Sequence, residues 1–260
     1  MHRLITIRFS HYNEKARWAL DRYRVPYREE GYMPLIHFAA TLPLTAHHGP
    51  GKKDAVSSPF STPVLVTDED RCIRDSSEIV RFVSDRYADG ALYPTDEVSL
   101  LDRRFHDDLG PHTRRVAYFH AFADPALLGK LADRNVSAEQ ARLFKALYPV
   151  VKQVIRRNLR VDRSGADRST VKVRALFEEI GERVRGRRYL VGETFTAADL
   201  AFACMAAPAL LPTPEEGYGA CFPRVEEVPE EIAGLVRELR ASEAGLYALR
   251  MFATERAPTN

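Results

Sequence analysis

Strand and helix signals alternate as far as Tyr87 and then the strand signals stop, and this break limits most what the chain can fold into. Leu4 to Phe9 reads as a strand, and Ala16, Ala19, Leu20 and Tyr23 follow on one helical face. Val25, Pro26 and Tyr27 open a second strand, since a proline at a strand's start loses no ladder bond. Leu35 to Leu44 has the spacing of a short helix. Thr45 to Pro59, rich in Gly, Pro, Ser, Lys and His, reads as a loop of a length that is usually functional or mobile. Pro63 to Val66, a turn at Asp68 to Asp70, and Cys72-Ile73 predict a hairpin, and Ile79, Phe82, Val83 and Tyr87 predict a closing helix. That order gives a small α/β unit with a mixed sheet.

From about Glu97 every signal is helical. Thr95 or Asp96 can cap a helix through Leu100, Leu101 and Phe105, which Gly110-Pro111 is expected to interrupt before Val116 and Phe119. Ser137 and Gln140 have the spacing of a capping box for another helix, in which Pro149 should kink or divide the run to Leu159. A further helix is expected from near Ser169 to around Gly186. The sharpest local signal follows: Thr196 as cap, Asp199 reaching back to it, and Phe195 with Leu200 as a hydrophobic staple. The helix behind this start is apolar all round, so it is expected to be buried.

Composition narrows the function classes. At 260 residues and 45% apolar, the chain can form real cores in two modest domains. Its 38 basic and 36 acidic residues leave +2, a balance that demands neither a nucleic acid nor a membrane surface as partner. The apolar run Leu200 to Leu211 is interrupted at Pro208 and falls short of a bilayer span, and no charged-then-apolar leader precedes Leu4. The expectation is a soluble, cytoplasmic protein. Cys72, Cys204 and Cys221 have neither metal-ligand nor disulfide-framework spacing, which suits reduced thiols. His106, Asp107, Asp108 and His112 resemble metal ligands on paper, but a pair six apart on a helix does not share a face, so no metal is expected.

The stretch from Arg8 to Leu20 (RFSHYNEKARWAL) lies where the first strand ends and the first helix begins. Backbone N–H groups at a helix start have no intrahelical partner, and the helix dipole adds roughly half a positive charge there, so anions bind at such a junction. With this stretch in view, four motifs taken in order carry a resemblance: Ser10 to Arg17 (SHYNEKAR), Ser61 to Val64 (STPV), Asp75 to Ile79 (DSSEI) and Thr196 to Asp199 (TAAD). Together they resemble the cytosolic glutathione transferase superfamily, with a Ser/Cys-type first motif like those of the omega, zeta and tau classes and no class assigned.

The resemblance implies a thioredoxin-like α/β domain over residues 1–92 that binds glutathione as co-substrate. It also implies an all-α domain over 97–255 that contributes a hydrophobic pocket, and a homodimer. Ser10 takes the place of the residue that activates the thiol. A free thiol with a pKa of about 8.5 is only a few per cent thiolate at neutral pH, and a hydroxyl donor at a helix start favours the thiolate. Tyr12 and His11 are the secondary donors. Asn13 stands where a second cysteine would make a redox pair, so Cys-x-x-Cys chemistry is not available.

Thr62-Pro63 resembles the family's cis-proline turn, whose preceding residue offers backbone N–H and C=O to an extended peptide. Asp75 and Ser76 stand where the family holds the γ-glutamyl end, the carboxylate on a helix start and the ammonium on the acidic side chain. His47-His48 and Lys52-Lys53 could bind a carboxylate or simply be solvated. The implied reaction is thiolate attack on a small hydrophobic electrophile: conjugation, dehalogenation, ether cleavage or isomerisation. The alternative is a non-catalytic member of the fold that binds a ligand or a partner protein.

Overall fold

The structure is a computed structural model and describes residues 1–51, 53 and 58–256. β1 (His2–Ile7) runs parallel to β2 (Tyr27–Tyr32) and antiparallel to β3 (Val64–Val66), and β4 (Cys72–Arg74) pairs antiparallel with β3. The sheet order is β2-β1-β3-β4. A parallel pair needs a crossover, and α1 (His11–Arg22) supplies it between β1 and β2. α2 (Phe38–His48) and α3 (Ser76–Tyr87) complete this part. Side chains alternate across the sheet as period two requires: Leu4 and Leu65 join the main core with α1 and α3, while Ile5, Val64 and Val66 form a small cluster with Leu44 of α2.

Eight further α-helices, a π turn and two short 3-10 turns (Pro214–Glu216 and Val225–Glu227) follow without a strand among the described residues: α4 (Asp96–Arg104), the π turn (Phe105–Leu109), α5 (Gly110–Ala121), α6 (Pro125–Asn135), α7 (Ala138–Leu159), α8 (Arg163–Val184), α9 (Ala197–Leu210), α10 (Glu230–Ala241) and α11 (Glu243–Glu255). This is a thioredoxin-like α/β part followed by an all-α part, the expected fold class. Every residue of α9 is buried. Its start is built as expected, with the Asp199 carboxylate accepting from the Thr196 N–H at 2.7 Å and from the Thr196 hydroxyl at 2.9 Å. The same carboxylate also accepts from Leu190 N–H at 2.7 Å and from the Tyr247 hydroxyl. Trp18 of α1, fully buried, stacks on Phe195 at 5.6 Å and meets Phe252 of α11 at 4.8 Å.

Several expectations need correction. β1 begins at His2 and ends at Ile7, because Ser10 N–H turns back onto the Ile7 carbonyl at 2.9 Å. α2 does not start at Leu35, whose φ of 67° is left-handed; it starts at Phe38 and continues to His48, so the stretch from Thr45 begins as helix. Gly110-Pro111 does not interrupt the helix. Gly110 N–H bonds the Phe105 carbonyl in a π turn, and Pro111 sits in the first turn of α5, where a missing N–H costs little.

Pro149 removes one ladder bond but does not divide the 22 residues of α7. Gln140 gives its backbone N–H to Ser137 at 3.3 Å, yet its side chain bonds Met33 N–H at 2.6 Å and the Gly31 carbonyl at 3.2 Å, tying α7 to the end of β2. α8 begins at Arg163 rather than Ser169, because the Asp162 carboxylate caps Gly165 N–H at 2.7 Å.

Candidate functional site

Ser10 occupies the N-cap of α1 in extended backbone, φ −71° and ψ 129°. Its carbonyl accepts from Asn13 N–H at 3.0 Å and Glu14 N–H at 2.9 Å, but its hydroxyl makes no capping bond. A serine N-cap ordinarily spends that hydroxyl on the helix. Ser10 instead lines an apolar pocket with about 100 Å³ of enclosed space, walled by Leu128 and Leu131 of α6, Leu211 behind α9 and Ile232 of α10. Its apolar lining suits the apolar part of a small organic ligand.

His11 and Arg114 of α5 line the same pocket. His11 is buried, and its Nε2 has no hydrogen-bond partner among the described residues. Burial and the Arg114 charge hold this imidazole well below its ordinary pKa, against the opposing pull of the Gly110 backbone, so it is neutral. Tyr12 points elsewhere. It is buried, and its hydroxyl donates to the His106 carbonyl at 3.0 Å, joining α1 to the π turn. Gly110 must lack a side chain there, since a Cβ would lie 2.5 Å from the Tyr12 hydroxyl and 2.7 Å from the Met205 sulfur.

The remaining expected site residues lie along the sheet and α3. The Thr62–Pro63 peptide is cis, and Pro63 leads into β3 beside β1. Thr62 Oγ1 is buried without a partner among the described residues. Asp75 caps α3 from the left-handed region, φ 81°, its carboxylate accepting from Ser77 N–H at 2.7 Å. Its other oxygen lies 3.2 Å from His106 Nε2. Burial alone would raise the Asp75 pKa, but the His106 contacts and the Lys15 charge outweigh it and hold the carboxyl below its ordinary value. Ser76 is 1% exposed beneath His106, with 3.4 Å from its hydroxyl to Nδ1.

The structure thus places Ser10 and His11 together at the pocket, and Asp75 with Ser76 together under His106. Sequence reasoning missed three residues that complete these groups. Arg114 is one of many helical arginines and carried no signal. His106 was weighed only as a metal ligand. Lys15, fully buried, donates to Asp102 and to the Ser77 hydroxyl at 2.6 Å, and Asp102 also accepts from Tyr93 at 2.9 Å. Lys is almost never fully buried unless paired, and nothing in the sequence shows the partner.

His47 and His48, expected in a loop, form the last turn of α2. They lie 3.2 and 3.6 Å from Asp70, and the three ligand-type atoms fall within 4.8 Å of one another. Lys52 lies outside the described residues. Of the other paper ligands, His112 pairs with Asp108 at 3.3 Å and with the Ser169 hydroxyl at 3.0 Å. The three cysteines are free thiols, and no described helix is long and apolar enough to cross a membrane.

Comparison with known proteins agrees with this architecture. Residues 4–91 match the family model for the glutathione S-transferase N-terminal domain, and residues 163–240 match that for the C-terminal domain. No curated protein matches the chain. Among solved structures, a glutathione S-transferase of Ceriporiopsis subvermispora in complex with glutathione superposes with a TM-score of 0.59 at 14% identity, covering 100% of this chain and 99% of that one. Glutathione transferase F2 of Populus trichocarpa gives 0.54 at 15%, covering 96% and 98%. A Methylobacterium radiotolerans glutathione S-transferase in complex with glutathione sulfonate gives 0.52 at 18%, covering 100% and 97%. At such identities these neighbours speak for the fold, and the domain matches, N-terminal then C-terminal in their proper order, make this chain a member of the glutathione S-transferase family.

Proposed function

We propose that this protein is a glutathione transferase in which residues 1–92 bind glutathione and Ser10 activates its thiol. Residues 97–255 hold a small hydrophobic electrophile in the apolar pocket. The observation that carries this reading is Ser10, which lines that pocket at the start of α1 with its hydroxyl free of any capping bond. Ser10 donates a hydrogen bond to the thiolate while the α1 dipole adds positive potential, and both lower the thiol pKa. One bond to a charged acceptor contributes about 1.5–3 kcal/mol, or roughly one to two pKa units. The apolar lining of the pocket favours an apolar electrophile beside that thiolate.

Thr62 offers its backbone beside the cis peptide to the extended tripeptide, with Pro63 fixing that presentation, and Asp75 and Ser76 receive the γ-glutamyl end. The reaction is thiolate attack on carbon, within the set of conjugation, dehalogenation, ether cleavage and isomerisation. On this reading the enzyme works as a homodimer in the reducing cytoplasm, where Cys72, Cys204 and Cys221 stay as thiols.

One observation favours the second reading, a non-catalytic protein that uses the fold to bind a ligand or partner. His106 lies against Asp75 and over Ser76, the pair that would take the γ-glutamyl end, and must give way to it. Retention on immobilised glutathione, followed by the thiolate absorbance of the bound peptide against pH, separates the two. The transferase reading expects retention and a thiolate midpoint well below 8.5 that moves up in Ser10→Ala. Failure to retain, or titration curves that coincide, favours the second reading or another donor such as His11.

A further inference from the structure

Arg114 differs from the arginines around it. Arg115, its neighbour in α5, donates to the Leu159 carbonyl at 3.0 Å and the Ser169 hydroxyl at 2.9 Å. Arg104 pairs with Glu179, and Arg103 with Asp107 at 3.3 Å. Arg114 is half-buried in the wall of the apolar pocket and has no carboxylate or carbonyl partner among the described residues. It lies over the Tyr12 ring, 5.4 Å from guanidinium to centroid, and its charge acts on His11 and Tyr118. A guanidinium is a fork of donors matched to a carboxylate, and it is strengthened where water is scarce.

A second polar group in the pocket is equally unspent. His11 is 3% exposed and its Nε2 finds no partner among the described residues. Because this imidazole is held neutral, it offers no competing positive charge. Apart from Ser10 and His120, whose imidazole burial also holds below its ordinary pKa, the rest of the wall is apolar and includes Leu128, Leu131 and Ile232. The occupant that satisfies this arrangement has an apolar body and one negative group.

We infer that Arg114 selects electrophiles that carry a carboxylate on an apolar, aromatic-sized body, the carboxylate pairing with the guanidinium while the body fills the pocket beside Ser10. The inference rests on the pocket being the electrophile site of the proposed transferase. It has a test that does not need turnover.

Calorimetric binding of 3-nitrobenzoate and 3-nitrobenzamide to the full chain without glutathione isolates the carboxylate. The wild type should prefer the benzoate by about tenfold or more, the worth of a charge-assisted hydrogen bond. Arg114→Gln should abolish that preference by weakening benzoate alone, and Arg114→Lys should keep part of it, because an ammonium retains the charge but not the fork. Thermal melting of each variant checks its folding, and unchanged benzamide binding checks its pocket. Turnover adds the second arm, with 4-chloro-3-nitrobenzoate against 1-chloro-2,4-dinitrobenzene, whose ratio of kcat/KM should fall in Arg114→Gln.

No preference in the wild type overturns the inference. Equal losses of benzoate and benzamide overturn it too, as does displacement of the benzoate by glutathione, which would give Arg114 to the peptide. If neither chloride reacts and glutathione is not retained while the benzoate preference persists and depends on Arg114, the anion site stands and the transferase reading fails.

Discussion

Two groups of polar side chains on α1 lie a single turn apart and are treated in opposite ways. At its start Ser10 and His11 line a pocket, the Ser10 hydroxyl makes no capping bond and His11 Nε2 has no partner among the described residues, and Arg114 in the same wall has no carboxylate partner among them. One turn on, Glu14, Lys15 and Arg17 are buried and each is paired. Arg17 and Arg256 bond Glu14 at 2.7 and 2.9 Å, Arg17 also bonds Glu29 at 2.7 Å, and Lys15 takes Asp102 and Ser77. Burial would raise the Glu14 pKa, yet Arg256 and Arg17 outweigh it and hold the carboxyl low. Polar groups that only support the fold must be satisfied within it, whereas groups reserved for a ligand stay open at a cavity. Lack of a partner is not enough alone: the Asn13 amide is buried and has no partner among the described residues, and it lines no wall of this pocket.

The sharpest way to break this contrast is on the paired side. Lys15→Met removes one partner of a buried pair and leaves Asp102, 3% exposed, with a buried charge that Tyr93 alone cannot neutralise. Such a break costs about 3–5 kcal/mol. The expected result is a large fall in the urea midpoint. An unchanged midpoint would mean that the α1 ion pairs are not structural, and the contrast would fail.

Ser10→Ala tests the open side and should do the reverse. The hydroxyl caps nothing, so the denaturation midpoint should stay within about 0.5 kcal/mol of wild type. The rate with a reactive aryl halide should fall by roughly 10- to 150-fold, equivalent to about 1.5–3 kcal/mol, with part recovered at higher pH as more thiol ionises. Loss of stability without loss of rate would make Ser10 an ordinary cap.

What was legible in the sequence follows the same division. Ser10 stood out because a short polar residue between an apolar run and a helix has few roles, and Thr196 with Asp199 because a capping box is wholly local. The hairpin and the mixed sheet were readable from period-two runs. The extent of α2 was not, because Leu35 adopts a left-handed backbone that its side chain does not advertise. Nor was the continuous path through Gly110-Pro111, where a π turn absorbs the proline. α6, α10 and α11 carry their caps or apolar faces but were outweighed by louder neighbours. Arg114, Lys15 and His106 owe their roles to partners, or to the lack of them, across the interface between the sheet part and the helices. Sequence spacing holds no record of that.

A smaller effect is expected at α9. Thr196→Ala removes one of the bonds to Asp199 but leaves those from the Thr196 and Leu190 backbone and from Tyr247, so the cost should be about 1 kcal/mol and no more than about 2. It should not touch pocket binding. A loss equal to that of Lys15→Met would show that this box, rather than the α1 ion pairs, is the tightest polar junction of the fold.

The smallest effect lies on the border between the two groups, at Asp75. Its folded pKa is depressed, with burial opposing and the contacts with His106 and Lys15 prevailing. A depressed carboxyl contributes stability that is present above its unfolded pKa of about 3.9 and is lost as pH falls from there through the folded value. The carboxylate is 27% exposed, so solvent screens the contribution and keeps it modest. The gap in stability between pH 6 and pH 3 should therefore narrow slightly in Asp75→Asn. The direct measurement is the carboxyl carbon shift of Asp75 against pH. In wild type it should titrate below about 3.9, and in His106→Gln the midpoint should move up, because the charge that offsets burial is gone. If Asp75 titrates at the ordinary value, or ignores the loss of His106, then His106 is only packed against it. Asp75 and Ser76 would then belong with the open groups rather than the paired ones.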